Sequence, residues 1–260
     1  MKRSVKVIAI GLLGSLAFAF GCGGSQAQSA AAKKPGTVAQ LPQNRAMVSG
    51  GPGVFTLGDH KCSATEVVDD GEDNNNQVTV KDGRNGYIYS FADTNGTKVT
   101  PELGATFAQT PGGAQGSAYA ACIKGTTALA AIAYAGLGFN LTDPEGQADL
   151  SKFDGIAFRV RRGSDSTQRL RLKVPDVATQ PAGGVCTDKC FNDFGADLVM
   201  TEEWQQFFIP FSEMKQMSGW GAPRPPSIDK TKIYSIQFQV LEKNKNFDIC
   251  VDDVAFIKCD

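Results

Sequence analysis

The sequence predicts an all-β fold, two antiparallel sheets packed face to face as a sandwich. Three observations carry that expectation. From about Lys61 onward, nine short apolar runs are separated by Gly, Asn, Asp and Pro; several runs alternate apolar with polar residues; and no segment shows a convincing long-helix period. The runs are ATEVVDD, GYIYSFAD, SAYAACIKG, YAGLGFNL, GIAFRVRR, QRLRLKVPD, WQQFFIPF, YSIQFQVLE and FDICVDDVAF, with SEMKQM as a candidate helical turn. In GIAFRVRR, Ile156, Phe158 and Val160 oppose Ala157, Arg159 and Arg161. In QRLRLKV, Leu170, Leu172 and Val174 oppose Arg169, Arg171 and Lys173, and in SIQFQV, Ile236, Phe238 and Val240 oppose Gln237 and Gln239. The apolar sets belong to the inter-sheet core, which leaves a polar face of Arg, Lys and Gln. About 200 residues suffice for one such domain, so residues 61–260 are read as a single sandwich.

The chain opens with Lys2, Arg3 and Lys6, then an uncharged run from Val7 to Phe20, then Gly21 and Cys22. A short basic stretch before an apolar run too short to span a bilayer is the build of a signal peptide. The order resembles a bacterial lipoprotein signal, which implies removal of residues 1–21 and lipidation of Cys22. Ordinary secretion with cleavage nearby is the alternative. Residues 22–60 are rich in Ala, Gly, Ser, Gln and Pro without a period, and are read as a flexible tether. The expected location is the bacterial cell envelope, at the outer membrane, with the lipid as the membrane contact.

Seven cysteines occur, at positions 22, 62, 122, 186, 190, 250 and 259. With Cys22 lipidated, six remain, an even number that can pair outside the cytoplasm. Cys186 and Cys190 have three residues between them rather than the two of a thioredoxin-type pair. A zinc site there needs further ligands, and the single histidine, His60, is remote in sequence. A local disulfide is the expected state, since a turn of five residues brings Cα atoms within reach. Cys62, Cys122, Cys250 and Cys259 allow three pairings.

Loss of residues 1–21 leaves 23 Lys and Arg against 27 Asp and Glu, a net charge of −4. A mildly acidic chain without basic clusters argues against a nucleic-acid partner. The single histidine and the lack of a G-x-S-x-G elbow argue against a histidine-based triad. A carboxylate pair, Glu202 or Glu203 with Asp193, is the remaining arrangement for a glycan-active enzyme.

The elements DGRNGYIYSFADTNGTKVTP, GLGFNL, SKFDGIAFRVR, LRLKVPD, GGVCTDKCFNDFG, EWQQFFIPFSEM, SGWG and FDICVDDVAF, taken in order over residues 66–257, resemble family 11 carbohydrate-binding modules and the Complex I intermediate-associated type. The resemblance implies a galactose-binding-like jelly roll. It also implies adjacent, antiparallel first and last strands, which would set Cys62 near Cys259 and leave Cys122 to Cys250. Such modules often hold a structural calcium where these ends meet. The acidic runs VDDGEDNNN and VDDV then make Glu72, Asp73 and Asp252 the expected ligands, oxygen donors suited to Ca²⁺.

The function expected is a non-catalytic carbohydrate-binding lipoprotein whose partner is a polysaccharide or cell-surface glycan. The alternatives are a structural or protein-binding surface lipoprotein and a glycan-active enzyme. Arg159, Arg171, Gln237 and Gln239 are the expected groove residues, forked donors and acceptors for hydroxyl pairs, if their strands share a sheet. Trp220, in the loop SGWGAPRPP, is the expected stacking ring, with anchoring of that loop as the competing role. Tyr87 and Tyr89 lie two apart on one strand face as further groove candidates. Trp204 is read as core packing.

Overall fold

The structure is a computed structural model that describes residues 54–57 and 59–260. It is a sandwich of two wholly antiparallel sheets. The strands are β1 (Val54–Leu57), β2 (His60–Asp69), β3 (Ile88–Ala92), β4 (Lys98–Thr100), β5 (Thr110–Pro111), β6 (Tyr119–Thr126), β7 (Ala135–Asn140), β8 (Gly155–Arg162), β9 (Arg169–Val174), β10 (Phe194–Val199), β11 (Gln205–Pro210), β12 (Ser235–Val240) and β13 (Asn246–Cys259). All nine predicted runs are strands. SEMKQM overlaps a single 3₁₀ turn, Phe211–Glu213. Among the described residues no helix is long and apolar enough to cross a membrane.

One sheet has five strands in the order β10-β9-β12-β7-β3. The eight-stranded sheet is organised by β13, whose first half pairs with β6 and second half with β2, while β8 lies along its other side and carries β11. A single long last strand therefore braces three neighbours. The alternation sends Phe158 and Val160 from one sheet and Phe139, Leu172 and Phe238 from the other into one shared core, where Phe158 meets Phe238 edge to face at 4.8 Å. Phe158→Ala is expected to lower unfolding stability by about 3 kcal/mol in chemical denaturation, the cost of a large cavity in a core closed from both sides.

The three disulfides are Cys62–Cys259, Cys122–Cys250 and Cys186–Cys190. The first two join facing residues of neighbouring strands, in register with β13 against β2 and β6. One boundary differs from the sequence reading. Val54–Leu57, assigned to the tether, is a strand, because VFTL pairs residue for residue with His60–Ser63 after an interval of two residues. The described strands thus include Val54–Leu57, ahead of the Lys61 boundary read from the sequence. The signal peptide, Cys22 and the rest of the tether lie outside the described residues.

Candidate functional site

The outer face of the five-stranded sheet is built in rows by strand register. One row reads Tyr89, Gly138, Gln237, Lys173, Gly195; the next reads Phe91, Gly136, Gln239, Arg171, Asp197. Along the β3 side, Tyr87, Tyr89, Phe91 and Tyr134 form a continuous ladder, with successive ring centroids 6.0, 6.0 and 6.4 Å apart. β7 makes room for it. A Cβ on Gly138 would lie 2.5 Å from the Tyr89 ring, and one on Gly136 would lie 2.3 Å from the Phe91 ring. The two rings therefore lie down over bare backbone. All four rings are half-buried, so part of each stays open to solvent. The Tyr89 hydroxyl accepts a hydrogen bond from Gln237 Nε2 at 2.9 Å, and burial pushes its phenol pKa upward.

Beside the ladder runs a polar strip. Arg171 donates to Asp197 Oδ1 at 2.9 Å and to the Lys215 carbonyl at 2.5 Å. Lys173 pairs with Asp193 at 2.9 Å. Gln237 also donates to Ser235 Oγ at 3.2 Å. Each cation of the strip thus faces a carboxylate, and the surface is hydrogen-bonding without being strongly charged.

The far edge is walled by two loops tied together through Asn192. Its side chain donates to the carbonyls of Met217 and Trp220 at 2.9 and 2.7 Å and accepts from the Met217 N–H at 2.9 Å. Asn192 follows the Cys186–Cys190 loop, whose Thr187 N–H donates to the Ala222 carbonyl at 2.9 Å. Gly221 has φ +79°, and a Cβ there would stand 2.9 Å from Asn192, so glycine permits the close approach. The short disulfide is thus the staple of this wall. Replacing Cys186 and Cys190 by serine is expected to cost about 2 kcal/mol of stability in calorimetry, the loop-closure scale for so short a ring.

The structure brings Arg171, Gln237 and Gln239 onto one face and borders it with the half-buried Trp220 loop. Arg171 and Gln239 are only 5% and 7% exposed, far more covered than a polar sheet face suggests. Arg159 does not join them. It lies on β8, in the other sheet, 3% exposed, pairing with Asp253 at 2.7 Å and donating to Gln206 at 3.0 Å. Alternation reports the side of a residue's own strand, not the sheet to which that strand belongs. Trp204 is half-buried under the Arg161 guanidinium at 5.3 Å, on the β8 side opposite the core-facing Val160, and so is no core residue. Asp193 is buried against Lys173, whereas Glu202 pairs with Arg162 at the end of β8. Phe91 and Tyr134 escaped the sequence reading. Their signal was the aromatic spacing Tyr87, Tyr89, Phe91 set against Gly136 and Gly138.

A second cluster lies where β2, β13 and the loop before β6 meet. Asp252 is buried and accepts N–H groups of Ala114 and Asp253 at 2.7 and 2.8 Å. Burial raises its pKa to about 6. Burial, then the charge of Asp73, raises Asp69 to about 8. Gln109 donates to Asp69 Oδ1 at 3.2 Å, while its own buried Oε1 has no partner. A Cβ on Gly113 would fill the space 2.4 Å from Asp252 Oδ2. Glu72 and Asp73 are exposed; Glu72 accepts from the Ala118 N–H at 3.1 Å and Asp73 from the Asn75 N–H at 3.3 Å. Among the described residues no three Asp, Glu, His or Cys side chains are grouped to hold a metal ion. The oxygen donors that fit a hard cation by chemistry are instead Asp69, Asp252 and the orphan Gln109 Oε1.

Residues 70–258 match the family profile described as Carbohydrate binding domain 30, and the chain belongs to that family. Its ligand class is carbohydrate. The comparison with curated proteins returned no match. Among solved structures, the chain is similar to the family 11 carbohydrate-binding module of the cellulosomal cellulase Lic26A-Cel5E of Clostridium thermocellum, at 18% identity over 74% of this chain and 92% of that one, with a TM-score of 0.49. A family 11 module from the same organism, in complex with a β-1,3-1,4-mixed-linked tetrasaccharide, matches at 18% identity over 65% and 87%, TM-score 0.46. The family 30 module of the cellulosomal cellulase Cel9D-Cel44B, also from Clostridium thermocellum, matches at 13% identity over 70% and 95%, TM-score 0.47.

Proposed function

We propose that this protein is a non-catalytic carbohydrate-binding lipoprotein that holds a polysaccharide against the five-stranded sheet. The observation that carries the reading is the ladder Tyr87–Tyr89–Phe91–Tyr134, two of whose rings lie flat over Gly138 and Gly136. A sugar ring presents C–H groups on its faces and hydroxyls around its rim. Flat aromatics suit the first, and the adjacent Gln237, Gln239 and Arg171 suit the second. The carboxylates of this face, Asp193 and Asp197, are each held by a cation, which supports binding over acid–base chemistry. Binding of fragment 54–260 to a panel of soluble polysaccharides in affinity electrophoresis tests the reading; no retardation by any of them would overturn it.

The leader supports display on the cell envelope through a lipid on Cys22, with the segment before Val54 as spacer. Cys22→Ala is expected to move the protein from the membrane to the soluble fraction. A structural calcium belongs to the same proposal. Asp69, Asp252 and Gln109 would hold it, and a bound cation would neutralise the buried acidic charge where β2 meets β13, fixing the strand ends rather than contacting sugar.

A further inference from the structure

At Tyr87 the ladder meets a cleft of about 370 Å³, which Tyr87 lines together with Asn75, Asn76, Gln77, Asn85 and Asp143. The amide-rich run Asn74–Gln77 thus lies against the aromatic ladder, apart from the acidic cluster that precedes it. Its backbone is held firmly. Ile88 N–H donates to the Asn76 carbonyl at 2.7 Å and Val78 N–H to the Gly86 carbonyl at 3.0 Å, and Gln77 bridges Tyr87. Across the cleft, the Asn85 side chain and the Asp143 backbone exchange two hydrogen bonds of 3.1 and 3.0 Å. Gly86 closes the turn onto the sheet, since a Cβ there would lie 2.0 Å from the Asn140 carbonyl oxygen. Within this frame the half-buried Asn76 amide makes no hydrogen bond among the described residues, and no lysine or arginine lines the walls.

The geometry points to this cleft as a further sugar subsite that extends the ladder beyond Tyr87 and reads an uncharged, hydroxyl-bearing sugar through side-chain amides. This rests on the carbohydrate reading of the ladder. A carboxamide offers a donor and an acceptor side by side, which matches neighbouring hydroxyls, each able to give and take a hydrogen bond. Tyr87, shared by ladder and cleft, supplies the apolar wall. An anionic sugar meets the Asp143 carboxylate here without a compensating cation, and on the sheet face Arg171 and Lys173 are already occupied by Asp197 and Asp193. The subsite therefore selects neutral glycans.

The test titrates the protein with mixed-linked β-1,3-1,4-glucan oligosaccharides and agaro-oligosaccharides of four and eight sugar units, with polygalacturonate as the anionic control. Calorimetry gives affinities, and side-chain amide resonances report contact. The expected result is that Asn76→Ala weakens the octasaccharide about tenfold and the tetrasaccharide about twofold or less, with shifts at Asn76 in the wild type, whereas Tyr89→Ala weakens both. Octasaccharide binding unchanged in Asn76→Ala, with no shift at Asn76, would overturn the subsite while leaving the ladder standing. Polygalacturonate binding as tight as that of the neutral chains would overturn the selectivity. A wild-type protein that binds none of the neutral probes would remove the ladder reading and the subsite together.

Discussion

Replacing Tyr89 and Phe91 together by alanine is expected to weaken glycan binding by about 3 kcal/mol, more than a hundredfold in Kd, while the domain stays folded. Both rings lie outside the core, over Gly138 and Gly136, so their loss opens no cavity between the sheets. What disappears is the flat apolar surface and, with Tyr89, the hydroxyl that orients Gln237. Stability is expected to fall by about 1 kcal/mol, from newly wetted strand backbone and lost ring contacts. Tyr89→Phe separates the two contributions, since it keeps the ring and loses the hydrogen bond. It should weaken binding by no more than about 1 kcal/mol. Gly138→Ala attacks the same feature from beneath, because its new Cβ would lie 2.5 Å from the ring and must lift it. Calorimetric titration with the best polysaccharide of the panel measures all of these. Full affinity in the double variant would remove the ladder as the binding surface.

In calcium-free buffer, the protein is expected to lose on the order of 4 kcal/mol of stability as pH rises from 4 to 8. The sign follows from the acidic cluster. Asp69 has an ordinary carboxyl value of 3.8 in the unfolded chain and about 8 when folded. Between those values the folded state holds a proton that the unfolded state has released. The stabilisation is therefore complete below pH 3.8 and is lost as pH climbs towards 8. Asp252, raised to about 6, acts in the same direction over a narrower window. A calcium ion bound here would favour the ionised carboxylates, so saturating calcium should raise Tm at pH 8 and do little at pH 5. At a hundred times Kd the gain is about 2.7 kcal/mol. Asp69→Asn should flatten the pH dependence and abolish the calcium response. A Tm in EGTA that is level from pH 4 to 8 would refute the burial argument, and a pH-dependent Tm indifferent to calcium would refute the ion alone.

Much of the sandwich was legible in the chain. Period-2 alternation placed Ile156, Phe158 and Val160, then Leu170, Leu172 and Val174, then Ile236, Phe238 and Val240, all of which are core residues. With Cys22 read as a lipidation site, the six remaining cysteines pointed to three bridges; the close spacing of Cys186 and Cys190 suggested one, and the resemblance to jelly-roll modules paired the other four as they stand. The short β10 was missed because its outward side is small or mixed: Gly195, Asp197 and Val199 leave a weak apolar signal. β1 was missed because its four residues, VFTL, are too few to show a period within a Gly- and Pro-rich stretch.

By itself, then, the sequence determined which side of each strand is apolar, because alternation is a property of the strand's own backbone and needs no partner. The tertiary structure alone decided which strands are neighbours. Arg159 and Arg171 have the same local pattern, yet β8 pairs with β13 and β9 pairs with β12, and the two guanidiniums end on different sheets. Tyr134 joins Phe91, and Asp69 meets the charge of Asp252, only because pairings such as Phe91–Gly136 and Asp69–Val254 close distances of 45 and 185 residues in sequence. Those closures are settled by the burial of both apolar faces in one core at once, a condition on the whole chain that no single strand carries.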